Sequence, residues 1–196
     1  MPLFRRVLLL CVTLLALVTG CGDSSPAQTE GSPATRSASA FVAPAPMEVF
    51  VPSIGARSRL IATGINPDGT AEVPPVDQPM QASYLDWAPE LAPVHPVIIY
   101  GHVNGRDAQD RSTPGIFADL ADVEVGEVID LVRANGTLAS YLVTRVERAQ
   151  KDVFPTQAVY QPTKQPEIRL ITCDGEFDPE LRSYEDNLIV FGTLNP

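Results

Sequence analysis

Residues 167–175 read Glu167-Ile168-Arg169-Leu170-Ile171-Thr172-Cys173-Asp174-Gly175, an apolar run of strand length that ends in a cysteine. Ile168, Ile171 and Thr172 are β-branched and favour a pleated, half-buried surface. The run is expected to form a strand over Glu167–Thr172. Cys173 then closes the strand, and Asp174-Gly175 marks where the chain leaves the core and turns.

Cys173 is one of three cysteines. Arg5 and Arg6, followed by an apolar run from Val7 to Val18, have the form of a secretory signal, and the run is short for a membrane span. Cys11 lies within that run and would leave with it. Val18-Thr19-Gly20-Cys21 resembles a bacterial lipobox. That resemblance implies cleavage before Cys21 and a thioether lipid on its sulfur. Cys173 is then the free thiol outside the cell. A lone cysteine in an exported protein points to an intermolecular bridge or a reactive thiol.

Three segments follow. Residues 1–21 are expected to be a signal peptide and lipobox ending at Cys21. Residues 22–46, rich in Ser, Ala, Pro, Thr and Gly, read as a disordered tether reaching roughly 25–30 Å. Residues 47–196 are long enough to bury one core. The expected location is the outer face of the cell membrane, with the lipid on Cys21 as anchor. The folded part carries 22 acidic and 11 basic residues, a net charge of −11. This balance excludes nucleic acid as a partner and disfavours docking on anionic lipid headgroups.

From residue 47 onward, short apolar runs are bounded by Pro, Gly, Asn and Asp, a strand-and-turn pattern. The expected strands are Glu48–Val51, Arg59–Ile65, Pro96–Tyr100, Glu127–Val132, Ala139–Arg148, Glu167–Thr172 and Leu188–Leu194. Asn135-Gly136 between two of them is a hairpin signal. Helical signal is weak and confined to Ala82–Trp87, Gly115–Leu120 and Phe154–Tyr160, and nineteen prolines discourage longer helices. Many short strands around one core fit a closed β-barrel or a sandwich.

Two histidines are present. His95 precedes Pro96 and reads as a loop residue. His102 follows Val97-Ile98-Ile99-Tyr100-Gly101, which places an imidazole at the end of a buried strand. Arg182 is the only arginine after Cys173. It stands among Asp174, Glu176, Asp178, Glu180, Glu185 and Asp186, carboxylates that disfavour a nearby thiolate and offer Arg182 surface ion pairs. A reactive cysteine there needs cationic help from a histidinium or a guanidinium. The alternating acids after Cys173 lack the glycine and final glutamate of an EF-hand loop, and one thiol with two histidines lacks the paired spacing of a zinc site. Neither a metal nor another cofactor is expected.

Leu170-Ile171-Thr172-Cys173 resembles the strand-end signature of the sortases, cysteine transpeptidases of Gram-positive surfaces. Ile99-Tyr100-Gly101-His102-Val103 resembles their histidine strand, and Asn187-Leu188-Ile189-Val190-Phe191-Gly192 their final strand. His102-Val103-Asn104-Gly105 through Gly115-Ile116-Phe117, with Phe177-Asp178-Pro179, resembles the actinobacterial class F group. The resemblance covers about residues 48–194. It implies a mostly β fold, a closed eight-stranded barrel with short helices in loops. It implies Cys173 as nucleophile, His102 as acid/base and an arginine that stabilises the oxyanion. Sortases often carry that arginine just before the last strand. Here Glu185-Asp186-Asn187 stands there, so Arg182 takes the role from a loop.

Thr172 and Tyr184, flanking the cysteine and the arginine, are the expected substrate-binding residues. The implied substrate is a Leu-Pro-X-Thr-Gly-type sorting signal of a surface protein, cut between Thr and Gly. The implied acceptor is an amine of a cell-wall precursor or another protein, drawn in by the acidic loop after Cys173. Residues 151–165 are long enough to wall one side of a substrate groove. Two other readings use the same residues: a lipid-anchored barrel that binds peptide without turning it over, and a cysteine peptidase that only hydrolyses.

Overall fold

A computed structural model describes residues 45–86 and 95–196. The expected signal peptide, the lipobox with Cys21 and the tether up to residue 44 lie outside the described residues, as does Trp87. The strands are β1 (Pro46–Val51), β2 (Ala56–Thr63), β3 (Ala82–Leu85), β4 (Val97–Tyr100), β5 (Asn104–Arg106), β6 (Ser112–Pro114), β7 (Val128–Arg133), β8 (Leu138–Gln150), β9 (Glu167–Asp178) and β10 (Ser183–Leu194). One short helix, α1 (Thr156–Tyr160), lies between β8 and β9.

Eight strands close into a barrel in the order β1-β2-β3-β4-β9-β10-β8-β7, with β7 returning to β1. Closure removes exposed sheet edges. β2 pairs with β3 and β4 with β9 in parallel, and the other pairs in the barrel are antiparallel. The mostly β, eight-stranded closed barrel is the architecture implied by the motifs. At the β7–β8 turn Gly136 takes a φ of 78°, as the Asn-Gly signal requires, and the Arg133 amide donates to the Thr137 carbonyl at 2.9 Å.

Period-2 alternation sorts side chains into two clusters. Val49, Val51, Ile99, Leu131, Tyr141, Val143, Leu170, Leu188 and Val190 fill the interior with Phe117 and Leu120. Each large apolar side chain so buried contributes about 1.5–3 kcal/mol. The alternate residues Ile98, Tyr100, Ile171, Ile189 and Phe191 form a second cluster outside the barrel. It is covered by Val159 of α1, with Phe154 and Tyr160 packed against it.

Three expectations need correction, and one hairpin is new. Ala82–Leu85 is a strand, not a helical turn, because its residues pair with β2 on one side and β4 on the other. Gly115–Leu120 forms turns rather than a helix, with a short 3-10 turn at Leu120–Asp122. The β5–β6 hairpin was not expected, since its residues are polar and lack alternation. β9 runs to Asp178 instead of stopping at Thr172. Gly175, with φ 84°, sits in a bulge where β9 carries one extra residue between the pairs Asp174–Asp186 and Phe177–Tyr184. The turn comes later, where Asp178 Oδ1 accepts from the amides of Glu180 and Leu181.

On the outer face of β9, Arg169 is only 3% exposed. Its Nη2 donates to Glu167 at 2.6 Å, its Nη1 to the Ile168 carbonyl at 3.0 Å, and its guanidinium lies over the Phe191 ring. Burial lowers the Arg169 pKa from the ordinary arginine value, and Glu167 opposes the shift. Glu167→Ala strands this guanidinium. It is expected to lower unfolding stability by about 3 kcal/mol, read from urea denaturation. An unchanged midpoint would contradict this account of the pair.

Candidate active site

The sheet register brings Cys173 and His102 together. β4 and β9 run in parallel with Tyr100 paired to Ile171, and the Gly101 amide donates to the Ile171 carbonyl at 3.1 Å. His102 and Cys173 each follow two residues after that last pair, His102 just beyond the end of β4, and both reach the same two grooves. Adjacent strands run about 4.7–4.9 Å apart. Alternation puts Cys173 on the outer side of the barrel with Ile171, and Asn187, its partner across β10, on the same side with Ile189.

Two glycines fix the histidine segment. A Cβ on Gly101 would strike the Phe117 ring and Ile116, and one on Gly115 would strike the backbone of His102 itself. The Gly115 amide donates to the Val103 carbonyl and the Phe117 amide to the His102 carbonyl, each at 3.0 Å. His102 Nε2 lies 2.6 Å from the Pro74 carbonyl oxygen. A carbonyl only accepts, so Nε2 carries a proton and Nδ1 is the ring nitrogen left for exchange. Pro74 belongs to the β2–β3 loop. That loop is tied down by the Arg106 amide on the Val76 carbonyl and the Ile116 amide on the Pro79 carbonyl.

Cys173 and His102 line two grooves at once. The first has a volume of about 570 Å³ and is mainly apolar, with Ile65, Val73, Leu85, Tyr100, Phe154 and Ile171 among its walls. The β2–β3 loop forms one side. Lys151, Phe154, Thr156 and Tyr160 of the 151–165 segment form another, as its length suggested. Tyr100 and Tyr160 join their hydroxyls at 2.8 Å and tie α1 to β4. Burial raises both phenol pKa values, so the pair stays neutral. The second groove, about 510 Å³, runs between the β5–β6 and β9–β10 hairpins and contains Asn104, Arg106, Ser112, Phe177, Arg182 and Tyr184. Lys151 Nζ, on the first groove, donates to Ser183 Oγ, on the second, at 2.8 Å.

Thr172 lines the first groove. It is 4% exposed, and its Oγ1 is buried without a hydrogen-bond partner. Tyr184 lines the second groove, accepts from Asn104 Nδ2 at 2.7 Å, and meets the Phe177 ring edge-on at 5.2 Å. Arg182 lines that groove too, with no hydrogen bond or ion pair among the described residues. Its φ of 51° is left-handed, which costs about 1 kcal/mol for a residue with a side chain. The surface ion pairs expected for it are absent. Arg148, another guanidinium near β10, is held by Asp174 and lines neither groove. His95 stands apart, with Nδ1 3.3 Å from the Tyr160 carbonyl.

The acidic loop does not reach the site as expected. Asp174 is paired with Arg148, Asp178 caps the turn, and none of the six carboxylates lines either groove. No group of three or more His, Cys, Asp or Glu side chains placed to hold a metal occurs among the described residues. Sequence reasoning missed Asn187 opposite the cysteine, the Pro74 carbonyl, Asn104 and the tyrosine pair. Asn187, Asn104 and Tyr100 each stood within a quoted motif, whereas nothing in the sequence pointed to the Pro74 carbonyl.

A family model described as a sortase domain matches residues 49–195. Streptococcus agalactiae sortase C1, solved in complex with MTSET, is similar with a TM-score of 0.52 and 19% identity over 76% of this chain and 66% of that one. Corynebacterium diphtheriae sortase A, a lid mutant, gives 0.53 and 18% over 76% and 69%. Streptococcus pneumoniae sortase C gives 0.53 and 18% over 77% and 66%. The chain thus spans about two thirds of the length of these structures, and at such identities they speak for the fold. No curated protein matches significantly. The family match spans nearly all of the barrel, and the chain belongs to the sortase family.

Proposed function

We propose that this protein is a cysteine transpeptidase of class F type that cleaves a Leu-Pro-X-Thr-Gly-like sorting signal and passes the acyl group to an amine. The observation that supports the reading is that Cys173 and His102 both line the same two grooves. The Cys173 thiol gives its proton to His102 Nδ1, and the sulfur attacks the threonine carbonyl carbon. The C–N bond breaks, and the imidazolium returns the proton to the departing amine. An incoming amine attacks the thioester, loses a proton to His102 and releases the thiol. Two modest barriers replace one large one. Arg182 donates to the developing oxyanion. Thr172 forms part of the floor of the acyl-side groove with its Oγ1 buried, and Tyr184 shapes the opposite side.

The further reading is that residues 1–21 export the chain, that Cys21 carries a lipid, and that the enzyme works at the outer membrane face on surface proteins and cell-wall amines. The −11 charge of the folded part supports this over a nucleic-acid partner.

The test is product analysis by mass spectrometry on a Leu-Pro-X-Thr-Gly peptide, with and without added amine. Cleavage with transfer supports the reading. Cleavage indifferent to amine assigns a hydrolase, and no cleavage assigns a binding module. Arg182→Ala is expected to lower kcat/KM by about 10²–10³-fold with little recovery in Arg182→Lys. An active Arg182→Ala would remove Arg182 from the mechanism.

A further inference from the structure

We infer that the second groove is an acceptor site that selects amines carrying a carboxylate. This inference rests on the transpeptidase reading. The same groove has to serve two amines in turn, because the leaving amine departs and the acceptor arrives on one side of the Cys173 carbonyl adduct. The first groove is apolar and suits acyl-side residues. The second is lined by Arg106 and Arg182, with Asn104, Ser112, Ser183 and Tyr184 between them, and by no carboxylate. The folded part has twice as many acids as bases, so a lining with two guanidiniums and no acid reverses the sign of the surrounding surface. The expectation of an acidic loop drawing in a cationic amine is replaced by its converse.

Arg106 is the recognising group. Its Nη1 donates to the Asp110 carbonyl at 2.8 Å and meets the Asp110 carboxylate at 3.3 Å. Its Nε and Nη2 have no partner among the described residues. Asp110 is 83% exposed and holds the guanidinium from outside the groove lining. The Arg106 amide is bonded to the Val76 carbonyl, and the hairpin that carries it is joined to β10 through Asn104 and Tyr184. Its backbone is thus anchored on both sides of the groove. A planar guanidinium matches a carboxylate in geometry as well as charge. The chemistry points to a short peptide or amino-acid amine with a free carboxylate near its nucleophilic nitrogen.

The experiment compares acceptors that differ only at that group: glycine, diglycine and triglycine against their C-terminal amides. The full chain is charged with a sorting-signal peptide. The ratio of aminolysis to hydrolysis is read by mass spectrometry for the wild type and for Arg106→Gln. Comparing the two proteins cancels the intrinsic reactivity of each amine. At least one carboxylate acceptor is expected to lose about three- to tenfold relative to its amide in Arg106→Gln, read as the partitioning of whatever thioester forms. The preference should shrink in high salt. Equal losses for acid and amide, or none, overturn the inference.

A second readout does not need turnover. The same acceptors are titrated calorimetrically onto the Cys173→Ala chain and onto Cys173→Ala with Arg106→Gln. Tighter carboxylate binding that disappears with Arg106 supports the site even if no thioester forms in the wild type. Indifference to the carboxylate refutes it even if thioester forms normally.

Discussion

Replacing Cys173 with alanine is expected to abolish both peptide cleavage and acyl transfer, a loss on the order of 10⁴–10⁶-fold. The size follows from the absence of a substitute: Cys173 is the free cysteine of the described fold, and no other thiol lines either groove. Serine at this position keeps the geometry, but its hydroxyl is a much weaker nucleophile near neutral pH. Cys173→Ser is therefore expected to be almost as inactive. Stability should hardly change. Cys173 is half-buried at the point where β9 passes from a fully buried run to an exposed one. Thermal melting of the variant checks that the fold survives. A folded Cys173→Ala protein that still cuts the peptide would show that the chemistry lies elsewhere.

The second large effect falls on His102. His102→Gln is expected to reduce kcat/KM by about 10²–10⁴-fold, because proton transfer to the leaving amine is lost. Glutamine can still donate to the Pro74 carbonyl, so the β2–β3 loop keeps a hydrogen bond that alanine would remove. Comparing the two variants separates proton transfer from loop anchoring. If loop anchoring were the only role, glutamine would restore activity and alanine would not. If proton transfer is the role, both fail alike, and the wild-type dependence of rate on pH is flattened in both. Near-normal activity in His102→Gln would remove the histidine from the mechanism.

The strands were legible because they are apolar runs interrupted by turn residues, a pattern that fits a barrel or a sandwich, and the motif resemblance implied the barrel. Asn135-Gly136 fixed a hairpin through backbone conformation alone, and β4, β9 and β10 each carry or adjoin a family motif. Local pattern could not carry the elements set by distant pairing. Ala82–Leu85 is too short to declare itself, and becomes β3 only because β2 and β4 each offer it an edge. Asn104–Arg106 and Ser112–Pro114 are polar and form a hairpin whose glycine lies against Pro79 and the Val76 carbonyl. Gly175 looked like a turn because a glycine after an aspartate often is one. Here the same positive φ builds a bulge, and the chain reverses only after Asp178.

The site was legible to a similar depth. Cys173 and His102 were visible as strand-end residues, and the fold brings both to the same two grooves. Arg182 was visible as a cation, but sequence could not say whether it would pair with its six acidic neighbours or face the groove. Two of the carboxylates that seemed to surround it found other partners, Asp174 with Arg148 and Asp178 with the turn amides. The Pro74 carbonyl was invisible for a simpler reason. Every residue has a carbonyl, and only the folded loop selects the one that fixes the histidine tautomer.

The central claim is that Cys173 forms a thioester with a sorting-signal peptide, and intact-mass spectrometry tests it most directly. The full chain, incubated with a Leu-Pro-X-Thr-Gly peptide and quenched in acid, should gain the mass of the fragment ending at threonine. Peptide mapping should place that mass on Cys173, and hydroxylamine should remove it. An unmodified protein under conditions where the peptide is cleaved, or an adduct on any other residue, would contradict the account.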